Sequence, residues 1–199
     1  MKRLLVATTN TGKQRELRRL LADLPATIVT PDELGLALDV DEPHDTYAEN
    51  ASAKAEAYAR ASGLLSVADD SGIEVAALDW GPGVRSARWG QGRNAERVLE
   101  AIGDATDRRA RMVCAVAVGR PMGERIVVDV FSGVVEGTVA HTPRGTGGFG
   151  YDPVFLLADG RTTAEIPEVE KDRVSHRGRA VAAARPHLET VLRAADDPS

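Results

Sequence analysis

The hydrophobic pattern changes character once along the chain, and that change restricts the fold more than any compositional figure. Up to about residue 102, short apolar runs alternate with segments of helical period. Arg3–Ala7 reads as a buried strand, and Gly12–Asp23 as a helix with Leu17, Leu20, Leu21 and Leu24 at helical spacing, ended by Pro25. Thr27–Thr30 reads as a second strand and Thr46–Ser62 as an alanine-rich helix stopped by Gly63. Leu64–Ala68 is a third strand running into Asp69-Asp70-Ser71-Gly72, with a short strand near Ile73–Leu78, a loop over Gly81–Gly92 and a helix over Asn94–Ile102. Beyond that point the pattern turns β-rich. Ala110–Gly119 and Arg125–Val135 form a hairpin about Met122-Gly123, Gly137–His141 extends it, and Pro153–Leu157 is a further strand after a glycine-rich loop. Ser175 opens a last amphipathic helix, expected to break or bend at Pro186, and Asp196–Ser199 reads as a frayed tail. Alternation followed by hairpins predicts an α/β protein with a mixed sheet.

The chain of 199 residues suits one domain, or one domain with two lobes, and its length suffices to bury roughly 70% of the unfolded surface. No apolar run nears the roughly 20 residues of a membrane span, and the stretch after Met1-Lys2-Arg3 is too short for a secretory signal. Cys114 is the single cysteine; within a Val/Ala run it reads as buried core in a reducing, cytoplasmic setting. The formal net charge of −5 argues against a nucleic-acid polymer as partner, so any anionic ligand is small and met by a local group of donors. Basic residues are mostly arginine; the four lysines are Lys2, Lys13, Lys54 and Lys171. An ammonium is a compact charge suited to phosphate oxygens, so each of the four invites a functional question.

Five constellations could carry chemistry. Thr8-Thr9-Asn10-Thr11-Gly12-Lys13 follows the first strand and opens a helix, where free amides and the helix dipole favour an anion. It lacks the first glycine and the final Ser/Thr of a Walker A loop, and the same residues also make an ordinary capped turn. Tyr47, Asn50 and Lys54 fall on one helix face, where Asn50 and Lys54 could reach a polyanion, while Thr46-x-x-Glu49 is a capping box. Asp69 and Asp70 end an apolar strand; adjacent carboxylates there are costly unless water or a cation meets them. Hard oxygen donors beside a polyphosphate describe a Mg²⁺ site, although Asp70-Ser71-Gly72 also suits a turn. Gly145–Tyr151 contains G-x-G-x-x-G but leads into Asp152-Pro153 rather than a helix, so it is either a hinge or a backbone that approaches a ligand, with Phe149 offering a face to a base. Lys171, His176 and Arg177 are donors near a helix start capped by Ser175, and the alternative is that they stand solvated on the surface.

In this order the segments resemble the inosine-triphosphatase family of the HAM1/RdgB type, from Leu4 to about Leu192. The resemblance implies an elongated mixed sheet flanked by helices, a single domain over 1–199 with two lobes around a central substrate cleft, and a homodimer. It implies Mg²⁺-dependent hydrolysis of ITP, dITP and XTP to the monophosphate and pyrophosphate, a cytoplasmic cleansing of the nucleotide pool. Carried across by position, Thr8, Thr9, Asn10, Thr11, Gly12 and Lys13 would cradle the triphosphate, and Glu42 and Asp70 would serve the metal, with Asp41 an alternative to Glu42. Asp70 would accept the proton, Lys54 and Asp69 would support catalysis, and Ser71 would touch substrate. Phe149, Gly150, Tyr151, Asp152, Lys171, His176 and Arg177 would line the base pocket. Thr9 and Trp89 depart from residues common in the family. Two other functions fit the same residues: a Maf-like pyrophosphatase of other modified nucleotides, and a nucleotide sensor without turnover.

Overall fold

A computed structural model describes residues 2–194; the tail expected over Asp196–Ser199 lies outside them. Seven strands and six α-helices are found among the described residues. The strands are β1 (Lys2–Val6), β2 (Ala26–Val29), β3 (Leu65–Val75), β4 (Gly81–Pro82), β5 (Arg109–Met122), β6 (Arg125–Val139) and β7 (Phe155–Leu156). The helices are α1 (Thr11–Leu20), α2 (Tyr47–Ser62), α3 (Ser86–Gly90), α4 (Asn94–Ile102), α5 (Glu168–Val174) and α6 (His176–Ala194). Strand order is β2-β1-β3-β5-β6-β7, with β4 on β3. β1 pairs in parallel with β2 and β3, whereas β4 on β3 and β7 on β6 are antiparallel, so the sheet is mixed as the pattern required.

The chain divides into two compact units. The first comprises residues 1–70, 115–132 and 180–199. Its core sets Leu5, Ala7 and Ala68 of the sheet against Ala51, Ala55 and Tyr58 of α2, and Ala115 and Ala117 of β5. Small residues on both sides bring the helix close to the strands. At Gly119 an added Cβ would lie 2.6 Å from the Ala55 carbonyl oxygen, so no side chain fits there. Thr46 caps α2 by accepting from the Glu49 amide at 3.2 Å, while the Glu49 carboxylate accepts from the Thr46 hydroxyl at 2.6 Å rather than from the backbone. Gly63 ends the helix in the left-handed region, as expected. In this unit the last helix runs on through Pro186 without a break. Both Pro186 and Ala182 are exposed, so water can meet the carbonyl that proline leaves without a donor.

The second unit comprises residues 71–114 and 133–179. Ala95, Val98 and Ile102 recur at helical spacing on α4 and pack with Ile73, Val75, Met112, Val135 and Phe155. Helix α5, which the sequence pattern did not single out, starts after Pro167, with Glu168 and Glu170 in its first turn.

Gly119→Ala should lower stability by about 1–3 kcal/mol, because the new methyl meets backbone rather than a movable side chain. Urea unfolding checks this; an unchanged midpoint would show that α2 has slack against β5.

Candidate active site

The acidic pair does not end a strand. Asp69 and Asp70 lie inside the eleven-residue β3, which the sequence pattern had divided in two. Register explains why they still sit at a rim. β1 pairs with β3 only as far as Val6 opposite Val67, and Ala7 adds one bond from its amide to the Val67 carbonyl. Beyond that point β1 turns into the Thr8–Thr11 loop, so the two carboxylates follow the carboxyl end of a parallel neighbour, where α/β sheets place ligands.

The loop that leaves β1 is held by its own side chains. Asn10 caps α1 by accepting from the Lys13 amide at 3.0 Å, the Thr8 hydroxyl accepts from the Asn10 amide at 3.2 Å, and Gln14 Nε2 donates to the Thr8 carbonyl at 2.8 Å. No acidic residue stands in the first turn of α1, so its positive end keeps an anion-favouring field. Lys13 is carried back toward the strand, with Nζ 3.1 Å from Asp69 Oδ2 and 3.5 Å from the Asp69 carbonyl. From α2, Lys54 Nζ donates to the Asp69 carbonyl at 2.6 Å and lies 2.5 Å from Glu42 Oε1 and 3.7 Å from Asp70 Oδ1. Thus Lys13, Glu42, Lys54, Asp69 and Asp70, far apart in sequence, gather in one corner of the first unit.

Burial decides the electrostatics of that corner. It pushes the Asp70 carboxyl above its ordinary range, against the pull of Lys54 and Lys13, with Glu42 adding to the rise. Burial also draws the Lys54 ammonium down, but Asp69, Asp70 and Glu42 together outweigh it and leave the group above its ordinary value. Glu42 and Asp70 share one ammonium, so a point of strong cation attraction lies near both. Two carboxylates suit an ion that takes one or two protein oxygens and completes its shell with phosphate and water. Among the described residues no group of three or more metal-binding side chains forms a cage that would hold an ion by protein alone. Asp41 does not contribute an ion pair to Lys54; Glu42 does.

One expectation fails here. Asn50 is fully buried, and its amide is occupied within the protein: Oδ1 accepts from the His44 amide, and Nδ2 donates to the His44 carbonyl and to Asp70 Oδ2. It does not reach outward to a polyanion.

A second group lies in the second unit. The glycine-rich loop wraps the buried carboxylate of Asp152, which accepts from the Phe149 amide at 2.7 Å, the Thr163 hydroxyl at 2.8 Å and the Lys171 ammonium. At Gly148 the backbone has φ near 69° and a Cβ would meet Asp152 Oδ2 at 2.0 Å, so glycine is required. Lys171 Nζ is 5.3 Å and Arg177 Cζ 5.7 Å from the centre of the Phe149 ring. Arg177, almost wholly buried, donates to the Ser71 hydroxyl at 3.0 Å. His176 is buried at the start of α6, where Ser175 accepts from the Gly178 amide at 3.1 Å and so caps the helix as predicted. Gly150 is exposed beside Phe149. Tyr151 differs from its neighbours: it belongs to the unit's core, its hydroxyl donates to the Ser86 carbonyl at 2.8 Å, and burial raises its pKa. Ser86 and Thr163, which hold Tyr151 and Asp152, carry no spacing signal that sequence reasoning could have used.

The described residues thus carry two groups within an α/β fold: two ammonium groups on a pair of acids beside a helix start, and, in the other unit, two cations against an aromatic ring. Residues 4–187 match the model of the Ham1 family. The chain is 46% identical to the dITP/XTP pyrophosphatase of Symbiobacterium thermophilum, over 96% of this chain and 97% of the relative. It is also 46% identical to the dITP/XTP pyrophosphatase of Streptomyces coelicolor, over 96% and 100%. A solved HAM1 protein from Coxiella burnetii superimposes with a TM-score of 0.79 at 38% identity, covering 98% of this chain and 100% of that one. The chain belongs to the Ham1 family.

A carboxyl whose folded pKa exceeds its unfolded value gives stability that is complete below the unfolded value, near 4, and lost as pH rises through the folded one. At neutral pH the Asp70 charge is therefore a cost to the fold. Asp70→Asn should raise the melting temperature at pH 7–8, with the gain vanishing toward pH 4. Calorimetry at both pH values checks this, and a lower melting temperature at pH 8 would contradict it.

Proposed function

We propose that this chain hydrolyses non-standard purine nucleoside triphosphates, dITP, ITP and XTP, to the monophosphate and pyrophosphate. The observation that carries the reading is the corner where Lys13 and Lys54 converge on Asp69 and Asp70 beside the start of α1. A substrate with about four negative charges needs charge neutralisation and positioning more than any other aid.

In this assignment the first unit takes the phosphates. Thr8, Thr9, Asn10, Thr11 and Gly12 offer hydroxyls and amides at a helix start, and Lys13 and Lys54 turn from their carboxylate partners toward phosphate oxygens. Glu42 and Asp70 hold Mg²⁺, which when bound supplies positive charge to the phosphates. Water attacks the α-phosphorus, and Asp70 accepts its proton. An ordinary aspartate is a weak base at pH 7; burial raises the proton affinity of Asp70 in the protein itself, and a bound Mg²⁺ would oppose that rise. Asp69, whose carboxylate meets Lys13 and whose carbonyl meets both lysines, sets the positions of the two ammonium groups.

The second unit takes the base. Phe149 offers a ring face, with Gly150 leaving room beside it, and Lys171, His176 and Arg177 supply donors for the 6-oxygen of hypoxanthine or xanthine, which adenine lacks. Asp152 and Tyr151 hold this wall rather than line it, and Ser71 orients Arg177.

The setting we infer is the cytoplasm, where free nucleotides are the substrate pool, and no nucleic-acid polymer is a partner. A homodimer completes the reading. Of β6, only Thr138 and Val139 pair with β7, while Val127 and Val130 stand exposed on the same strand, and a long apolar edge calls for a cover.

With dITP and Mg²⁺ the expected products are dIMP and pyrophosphate, with dATP a poor substrate. Orthophosphate as the product, or tight binding without turnover, would remove the reading in favour of a phosphatase or a sensor. Asp70→Asn should cut kcat by about 10²–10⁴-fold while the fold survives. Near-normal turnover in that variant would take Asp70 out of the mechanism.

A further inference from the structure

We propose that Asn50 is a positioning residue for Asp70, an inference that rests on Asp70 acting at the reacting phosphate. Asn50 has no exposed surface and lies in the first turn of α2. Its Oδ1 accepts from the His44 amide at 3.1 Å, and its Nδ2 donates to the His44 carbonyl and to Asp70 Oδ2, each at 3.2 Å. The backbone of His44 offers one donor and one acceptor, and the Asp70 carboxylate accepts. The amide therefore has one orientation that satisfies all three.

The consequence for Asp70 follows from what pulls on its other oxygen. The Asn50 hydrogen bond fixes Oδ2, while the Lys54 ammonium attracts Oδ1 from 3.7 Å without a hydrogen bond to it. Without the Asn50 donor, both oxygens are free to turn onto the Lys54 ammonium, and the group that should face water becomes half of a closed ion pair. Asn50 also fixes the loop. His44 stands two residues after Glu42, so the same amide that orients Asp70 anchors the segment that brings Glu42 to Lys54.

No other side chain serves both ends. Alanine offers no donor and leaves two backbone groups of His44 without their partner. Aspartate accepts from the His44 amide but donates to neither acceptor and sets a second charge against Asp70. Glutamine is a methylene too long for the same helical position. This gives Asn50 a role different from that of a core residue, which could be replaced by any group of its volume.

Two readouts test the role. In steady-state dITP hydrolysis, folded Asn50→Ala should lose about 10–100-fold in kcat, the scale of a misplaced reacting group, with KM held within about threefold. A folded Asn50→Ala with the kcat of the parent, or with the loss carried by KM instead, would overturn the proposal. The second readout needs no activity. Asn50→Asp should lower the urea-unfolding midpoint, and Asn50→Asp combined with Asp70→Asn should recover more of it than Asp70→Asn adds to the parent, because the introduced amide donates to the introduced carboxylate. A double variant no more stable than the sum of the two single changes predicts would overturn the link. If dITP proves not to be a substrate, the proposed function fails alone, and the unfolding comparison still decides whether Asn50 holds Asp70.

Discussion

Two consecutive carboxylates inside a strand, each met by a lysine from a different helix, are the constraint on which the rest of this fold turns. Consecutive strand residues project to opposite faces, so the carboxylates of Asp69 and Asp70 find their nearest ammonium groups on different helices. Asp69 takes Lys13 from α1 by its carboxylate and Lys54 from α2 by its carbonyl; Asp70 takes Lys54 and the Asn50 amide. Removing Lys54 from such a set would leave the buried Asp70 charge without its ammonium, which is more damaging than never having had the pair. The local architecture serves this arrangement. β1 stops pairing at Val6 so that its loop can start α1 beside the acids, and α2 presents Ala51, Ala55 and Ala59 inward, so the helix lies close enough for Lys54 to reach the strand.

The same burial that makes the corner costly raises the proton affinity of Asp70. An exposed aspartate would be a poor proton acceptor at neutral pH, and Asp70 is lifted out of that range by the loss of solvent. The two lysines hold the cluster together, Lys13 on the Asp69 carboxylate and Lys54 on the Asp69 carbonyl and Asp70. In the other unit Asp152 gathers the Phe149 amide, Thr163 and Lys171, and thereby fixes an aromatic face and a donor in one place.

Much of this was legible in the sequence, and the reasons are specific. The Thr46 cap, the Gly63 stop and the β5–β6 turn at Gly123 follow from local chemistry and appear where the pattern puts them. Lys13, Lys54, Asp69 and Asp70 stood out because charges bordering apolar runs need a reason. Three features were not legible. The sequence pattern split β3 at Asp69-Asp70-Ser71-Gly72 because those residue types favour turns, whereas pairing within the sheet holds them extended. Pro186 suggested a break that exposure makes unnecessary. Asn50 shared a helix face with Lys54 and so was read as reaching outward, but only the tertiary position of His44 shows that its amide is occupied inside. Buried amides and hydroxyls that hold other residues in place, such as Asn50 and Thr163, leave no mark in spacing or period.

The central claim is that this corner brings water to the α-phosphorus of a nucleoside triphosphate. Hydrolysis of dITP in water enriched with heavy oxygen tests it directly, because the isotope marks the phosphorus that was attacked. The label is expected in the phosphate of dIMP, with the released pyrophosphate unlabelled. Label in pyrophosphate would mean attack at the β-phosphorus, and the geometry of Asp70, Lys13 and Lys54 would then need a different reaction to explain it.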